Sequence, residues 1–168
     1  MNIAEALTRQ ARNQPDGVAL IIPTKRTRAG WKDHRYTYRE LDDLSTRLAV
    51  GLARQGVLPG TRVAFMVPPS LEFFALFFAL FKAGAVPVMI DPGIGIKPLK
   101  TCLAEARPEV FLGVTKAHLA RIVLGWARGH IKRLMTVGPR LGWGGASYRS
   151  LAATVADGGA VREVQPAE

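Results

Sequence analysis

The stretch RVAFMVPPSLEFFALFFALFKAGAVPVMI, residues 62–90, decides the fold. The apolar run at 62–67 predicts a strand, the longer segment at 70–83 predicts a helix, and 85–90 predicts a second strand. Near-continuous apolar strands joined through a helix are typical of parallel pairing with a right-handed crossover. This stretch therefore predicts a β-α-β unit in a sheet that helices cover on both faces.

The same alternation continues toward the C-terminus. Further helices and strands are predicted at 97–106, 110–114, 116–128 and 133–137. The fold class is therefore α/β, with a largely parallel sheet and helices on both faces. A glycine-rich stretch at 138–147 then precedes a short predicted helix at 148–156.

The N-terminal part of the sequence predicts two helices around a hairpin. The first helix, at 2–14, has Asn2 as its cap, and strands at 18–22 and 31–38 follow across a basic connection. Thr37 and Glu40 form a Thr-x-x-Glu capping box, in which the side chain of each residue accepts a hydrogen bond from the free backbone N–H of the other. The second long helix is expected to begin there.

Length and composition favour one α/β unit in the cytoplasm. A chain of 168 residues can bury one core. Residues 1–156 are expected to form this domain, and 157–168 a linker or truncated tail. Glu5, Arg9 and Arg12 interrupt any apolar signal sequence, and Cys102 is the single cysteine, which excludes an internal disulfide.

Two compositional features have a structural and a functional interpretation. The run FFALFFALF at 73–81 is too short for a membrane span, so a buried helix is favoured over a membrane anchor or an acyl-chain surface. The formal charge of +10 allows a nucleic-acid or anionic-membrane partner, but the basic residues are dispersed along the chain. A solvated surface without a specific nucleic-acid site is therefore expected.

No catalytic, cofactor-binding or metal-binding residue is predicted in this chain. His34, His118 and His130 lack the spacing of a metal site and are expected on the surface or at helix ends. GWGGAS at 142–147 has no Lys-Ser or Lys-Thr pair after it, which favours a surface turn over a phosphate cradle. PGIG at 92–95 leaves the carboxyl end of a predicted strand, where open α/β sheets bind ligands, but an ordinary turn is favoured over a ligand site.

Two motifs carry a resemblance to a known family. YTYREL at 36–41 and KAGAVPVMIDP at 82–92 resemble the first two core motifs of the adenylate-forming superfamily, and PDGVAL at 15–20 and PGTRVA at 59–64 also fit. The likeness extends to about residue 155. Within the superfamily the chain looks closest to the ATP-dependent β-lactone synthetases of olefin biosynthesis, with long-chain fatty-acyl ligases as near neighbours.

The resemblance implies a parent enzyme that uses ATP and Mg²⁺. That enzyme would convert a long-chain β-hydroxy or fatty acid into an acyl adenylate and then into a β-lactone or a thioester. The superfamily's Pro-Lys-Gly loop, ribose-binding aspartate, hinge and late catalytic lysine have no counterpart here. The resemblance therefore implies an incomplete N-terminal portion of the fold, inactive alone, whose partner is the missing C-terminal part of the parent.

One expectation follows from an incomplete fold. A strand edge or an apolar helix surface should be left uncovered, which favours self-association. The alternative hypothesis is a free-standing basic binding or assembly module without catalysis.

Overall fold

The N-terminal third of the chain forms two helices that flank an antiparallel hairpin. A computed structural model describes residues 2–27, 30–89, 95–126 and 129–153. The elements are α1 (Ile3–Asn13), β1 (Val18–Thr27), β2 (Gly30–Thr37) and α2 (Tyr38–Arg54). The Asn2 side chain caps α1, and the predicted capping box at Thr37 and Glu40 begins α2. Both helix starts are therefore confirmed.

The hairpin is longer than the sequence predicts. We expected the first strand to end at residue 22 and a basic loop to follow. Instead β1 continues to Thr27, with Lys25 paired to Lys32 and Arg26 paired to Trp31. A register shift between Pro23 and Lys25 accompanies the proline, which has no N–H to give to the ladder. The charged residues of this strand do not alternate with apolar ones, so the sequence pattern predicted a strand that is too short.

The rest of the described chain forms a five-stranded parallel sheet with helices. The elements are β3 (Arg62–Met66), α3 (Leu71–Lys82), β4 (Val86–Met89), α4 (Ile96–Ala106), β5 (Val110–Val114), α5 (Thr115–Leu124), β6 (Arg133–Val137), β7 (Ala146–Ser147) and α6 (Tyr148–Ala153). The strand order is β4-β3-β5-β6-β7, and each neighbouring pair is parallel. The predicted α/β class and parallel sheet are confirmed.

The sheet has an apolar core on each face. Val63, Phe65 and Leu112 contribute to the larger core, together with residues of α1, α2, α3 and α6. Ala64 and Phe111 point to the other face and pack with residues of α4 and with Trp126. Alternate residues along one strand thus bury opposite faces, as both-sided coverage requires.

Helix α3 contains the predicted buried phenylalanine run. Ala75, Leu76, Ala79 and Leu80 are fully buried, whereas the phenylalanines at 73, 74, 77 and 78 are partly buried against the same core. The buried-helix interpretation is therefore confirmed. Among the described residues, no helix is both long and apolar enough to cross a bilayer.

Several predicted boundaries differ or fall outside the structure. Helix α5 stops at Leu124 because Gly125 adopts a left-handed conformation, with φ of 64°, and ends the helix before the predicted residue 128. Helix α6 is described up to Ala153. The end of the strand at residue 90, most of the PGIG turn at 92–95, and the expected tail from 157 lie outside the described residues.

Candidate functional site

The carboxyl edge between β3 and β5 is the candidate site, because the chain leaves these two neighbouring strands in opposite directions. From β3 it passes through α3 to β4, and from β5 it passes through α5 to β6 on the other side. Helix α3 contributes to the core on one face and α5 to the core on the other. In open α/β sheets such a switch point forms a crevice where ligands bind.

The hydroxyl groups at this edge hold the local backbone. Ser70 follows β3, and its side chain accepts a hydrogen bond of 3.2 Å from the Phe73 N–H at the start of α3. Thr115 begins α5 and donates to the Pro139 carbonyl at 2.6 Å. Gly113 lets β5 and α5 approach closely, since an added Cβ would lie 3.1 Å from that of Ala117. These contacts fix the loops above the switch point.

The glycine-rich stretch is a packed turn. Gly142, Gly144 and Gly145 all have positive φ. A Cβ on Gly145 would overlap the Leu134 backbone, so glycine is needed for β7 to pair with β6. The Arg140 guanidinium donates to the Gly145 carbonyl and closes the turn. The geometry supports the surface-turn interpretation over a phosphate cradle.

His118 corrects one expectation from the sequence. We expected all three histidines on the surface or at helix ends, and His34 and His130 are exposed as predicted. His118, however, is fully buried in α5. Its ring stacks on Trp143 with centroids 5.1 Å apart and an interplanar angle of 13°. The turn of α5 places the imidazole toward the sheet, where Trp143 covers it.

Burial makes His118 a poor base. Its Nε2 lies 3.0 Å from the Met135 carbonyl and 3.2 Å from Thr136 Oγ1, while Trp143 Nε1 donates to Thr136 Oγ1 at 3.0 Å. The carbonyl requires the proton on Nε2, which leaves Nδ1 buried without a partner. Burial lowers the pKa of His118, and the Arg121 charge lowers it further against the hydrogen bond to Met135. The neutral ring therefore fastens the glycine-rich turn to the sheet.

Among the described residues, the polar groups at the switch point are engaged with other parts of the protein. The described residues include no group of three or more His, Cys, Asp or Glu side chains that could hold a metal ion. The hydroxyls of Ser70 and Thr115 are engaged with the backbone, and the glycine turn is closed on itself. In this portion of the chain, the side-chain hydroxyls and the glycine turn at the switch point therefore have protein partners.

The second resemblance motif begins with a lysine that the sequence reasoning did not single out. Lys82 Nζ donates to Asp42 Oδ1 at 2.6 Å, to the Asp42 carbonyl at 3.0 Å and to Thr46 Oγ1 at 2.7 Å. Thr8 donates to the same Asp42 oxygen at 2.8 Å. Burial lowers the pKa of Lys82, although the Asp42 hydrogen bond and charge oppose the shift. One ammonium group thus joins α2 and α3, and α1 reaches it through Asp42.

A charged residue inside an apolar helix was the available signal for this network. Lys82 ends the run of phenylalanine, alanine and leucine in α3, and such a residue needs a partner when its helix is buried. Asp42 and Thr46 lie one turn apart on α2, so both face the same side. The sequence contains this spacing but does not say which helices meet.

The glycine of the same motif has a steric role. Gly84 has φ of 68°, and a Cβ there would lie 3.1 Å from the Cβ of Pro59. The Gly60 N–H donates to the Gly84 carbonyl at 2.8 Å, and the Val86 N–H donates to the Thr61 carbonyl at 2.9 Å. The segment at 59–61 therefore packs on the segment at 84–86, and this contact aligns β4 with β3.

A known protein family and known relatives match this chain over most of its length. The family described as AMP-binding enzyme matches residues 7–150. Olefin beta-lactone synthetase from Stenotrophomonas maltophilia is 49% identical over 161 residues, covering 94% of this chain and 29% of that protein. The protein of the same name from Xanthomonas campestris is 49% identical over 148 residues, covering 87% of this chain and 26% of its own length. This chain therefore spans less than a third of the length of these relatives.

Solved structures match over the same region. The apo structure of Mycobacterium smegmatis MbtA gives a TM-score of 0.76 at 28% identity, covering 99% of this chain and 29% of that one. A long-chain-fatty-acid-CoA ligase, FadD1 from Archaeoglobus fulgidus, gives a TM-score of 0.73 at 18% identity, covering 92% and 30%. The second likeness concerns the fold alone. Since the family match includes both the capped helix α2 and the Lys82 to β4 segment, over most of the chain, this protein belongs to the AMP-binding enzyme family.

Proposed function

We propose that this chain is the N-terminal scaffold of an ATP-dependent, AMP-forming acyl-activating enzyme and does not form acyl adenylate alone. The observation that carries the proposal is the 49% identity to olefin beta-lactone synthetase over 94% of this chain and only 29% of the relative. The motif residues Lys82 and Gly84 are used in packing. The reaction chemistry then belongs to parts of the parent outside this chain.

The parent reaction is proposed by similarity. A long-chain β-hydroxy or fatty acid would be adenylated with ATP and Mg²⁺ and then converted to a β-lactone or a thioester. Adenylation requires the triphosphate to be held while its α-phosphorus is attacked in line, and positioning with charge neutralisation supplies most of the rate enhancement. The described residues offer no magnesium site for that purpose. This supports a scaffold role for the chain.

Uncovered apolar surface also supports a scaffold. Met89 on the edge strand β4 is 51% exposed. On α5, Leu119, Ile122 and Val123 are 43%, 46% and 79% exposed and lie on one helical stripe. Such surface is suited to contact with further protein, either the rest of the parent or a second copy.

The test is ATP–pyrophosphate exchange with a hybrid enzyme. The 168-residue chain is assayed alone and fused to the residues that follow the aligned segment in the Stenotrophomonas maltophilia relative. We expect no acid-dependent exchange by the chain alone and measurable exchange by the hybrid with long-chain β-hydroxy or fatty acids. Robust exchange by the short chain would overturn the scaffold proposal, and a folded but inactive hybrid would count against the assigned activity.

The alternative, a free-standing basic binding module, rests on the net charge of +10. The two functions differ in what the gene encodes after residue 168. A continuous or neighbouring reading frame for the missing catalytic loop favours the scaffold, whereas its absence favours the module.

A further inference from the structure

The amino edge of the parallel sheet concentrates positive charge. In the part of the chain that the structure describes, five exposed cationic side chains lie at or beside this edge and are called the basic edge: Arg62, Lys100, Arg107, Lys132 and Arg133. This edge is opposite to the switch-point crevice and takes no part in the proposed function. The dispersed pattern of basic residues in the sequence gave no sign of it.

Backbone hydrogen bonds bring three strands of this edge together. The Glu109 N–H donates to the Arg62 carbonyl at 2.9 Å. The Glu109 carbonyl in turn accepts from the N–H groups of Lys132 and Arg133 at 2.8 and 3.2 Å. Since neighbouring strands are about 4.8 Å apart, Arg62 and Arg133 start within roughly 10 Å of one another.

A groove beside α4 extends the basic edge. It is lined by Arg62, Lys100 and Arg107, with Glu105 as its acidic residue. Glu109 is the acid at the centre of the edge, where Lys132 Nζ donates to its carboxylate at 2.8 Å. That hydrogen bond and the Lys132 charge lower the pKa of Glu109, and the charges of Arg62 and Arg133 lower it further. Three cations of the basic edge therefore act on the same carboxylate, and the five named cations outnumber the two named carboxylates, Glu105 and Glu109.

Two exposed aliphatic side chains lie within the basic edge. Val86 is the β4 partner of Arg62 in the sheet register and is 47% exposed. Leu58 is 61% exposed and closes the turn before Arg62, since its N–H donates to Thr61 Oγ1 and its carbonyl accepts from the Thr61 N–H. Aliphatic side chains thus project beside the cations.

We propose that the basic edge docks this protein peripherally on an anionic phospholipid bilayer, with Leu58 and Val86 entering the headgroup region. Cations are attracted to the negative surface potential of such bilayers, and exposed aliphatic groups gain free energy in the interfacial layer. A phosphodiester backbone would engage the cations but would offer nothing to Leu58 and Val86. The combination favours lipid over nucleic acid.

Vesicle co-sedimentation of the full 168-residue chain tests the proposal. Vesicles of phosphatidylcholine alone are compared with vesicles containing one quarter phosphatidylglycerol, at low and at high salt. We expect binding to the anionic vesicles that weakens as salt screens the charges. Each cation near the surface contributes about a fivefold gain in affinity, so the triple variant Arg62→Gln, Lys132→Gln, Arg133→Gln should bind on the order of 100-fold more weakly.

A matched triple variant controls for total charge. Arg12→Gln, Lys97→Gln and Lys116→Gln remove three exposed cations outside the basic edge. This variant should keep most of the vesicle binding. Equal loss by both triple variants would show that only diffuse charge matters and would overturn the proposal, as would failure of the unchanged chain to bind anionic vesicles.

A variant of Leu58 and Val86 distinguishes binding to a bilayer from binding to other polyanions. Leu58→Gln with Val86→Thr leaves every charge in place, so it should weaken vesicle binding several-fold and leave binding to duplex DNA and polyglutamate unchanged. Circular dichroism checks that each variant is folded. Equal vesicle affinity of this variant, or tighter binding of the unchanged chain to DNA or polyglutamate than to anionic vesicles, would overturn the lipid assignment. Pyrophosphate exchange by the hybrid enzyme is a separate readout, so failure of either proposal is recognisable.

Discussion

Lys82 and Asp42 form a largely buried ion pair, with Nζ 2.6 Å from Oδ1 and side-chain exposures of 13% and 16%. The pair joins α3, the helix before β4, to α2. A buried ammonium is stable only when its charge and its N–H donors have partners, and here two side chains and one carbonyl supply them. The position is therefore structural although it lies within a family motif.

The first prediction concerns this pair. Lys82→Met leaves the Asp42 carboxylate without its counter-ion, so the free energy of unfolding should fall by about 3 kcal/mol, and urea denaturation measures it. Adding Asp42→Asn should recover part of the loss. Lys132→Met is the matched control, because its pair with Glu109 is exposed, and it should change stability little. Equal effects of the two lysine changes would contradict the structural role.

The second prediction concerns the contact between α2 and α6. A Cβ on Gly51 would lie 2.8 Å from the Leu151 Cα, against backbone that cannot move aside alone. Alanine is favoured over glycine inside a helix by about 1 kcal/mol, yet Gly51→Ala should lower the free energy of unfolding by about 2 kcal/mol because α6 must shift. Thermal denaturation checks this. An increase in stability would mean that α6 does not pack on α2.

A control for the glycine change is available in the glycine-rich turn. An added Cβ on Gly142 meets nothing within 4 Å, although its φ is 91°. Gly142→Ala should therefore cost only the conformational penalty of about 1 kcal/mol. Gly142→Ala therefore measures backbone strain without steric overlap, whereas Gly51→Ala, at a residue whose φ is not positive, measures steric overlap without that strain.

The third prediction concerns Tyr148 in α6. Burial, and then the charge of Glu72, raise the pKa of Tyr148 to about 12. Between pH 10 and 12 the folded chain keeps this proton while the unfolded chain releases it, so stability falls as the pH rises through that window. Tyr148→Phe should reduce this fall, measured as the urea midpoint at pH 9 and 11. Tyr38→Phe is the control, and an equal reduction there would contradict the prediction.

The fold could be predicted because its strands and helices differ in apolar pattern. Continuous apolar runs such as Val110–Val114 identify buried parallel strands, and glycine and proline mark the turns between them. The pattern fails where polar residues are buried or charged residues pair. The β1 extension through Lys25 and Arg26 is held by backbone pairing, which side-chain periodicity does not report.

The candidate site was less predictable because tertiary contacts create it. The sequence alone does not predict that Lys82 pairs with Asp42, because that contact depends on how α3 packs on α2. It also does not predict that Arg62 and Arg133 lie on the same edge of the sheet, because that depends on the strand order. Arg121 shows the same limit. Its guanidinium lies 5.6 Å from the centroid of the Phe111 ring, on the inner side of a helix whose aliphatic stripe is exposed. An amphipathic pattern would have placed the stripe inward.

The last prediction follows from the burial of His118. Protonation would place a charge and an unsatisfied N–H in the core beside Arg121. Stacking of the charged ring on Trp143 offsets only part of this unfavourable free energy. Because the folded-state pKa lies below the usual value of about 6.5, the unfolded chain binds this proton first as the pH falls. Stability should therefore decrease from pH 7 toward the folded-state pKa, with a slope of at most about 1.4 kcal/mol per pH unit.

Urea unfolding at several pH values between 5 and 8 measures this dependence. His118→Gln removes the titrating group and should flatten the profile in this range, although the protein becomes less stable at pH 8 because the contact with Trp143 is lost. His130→Gln changes an exposed histidine and should leave the slope unchanged. The glycine-rich turn should loosen first in acid, since His118 and Thr136 hold Trp143 to the sheet, and hydrogen exchange at residues 138–145 should rise accordingly. A profile that stays steep in His118→Gln would mean that another group causes the acid sensitivity.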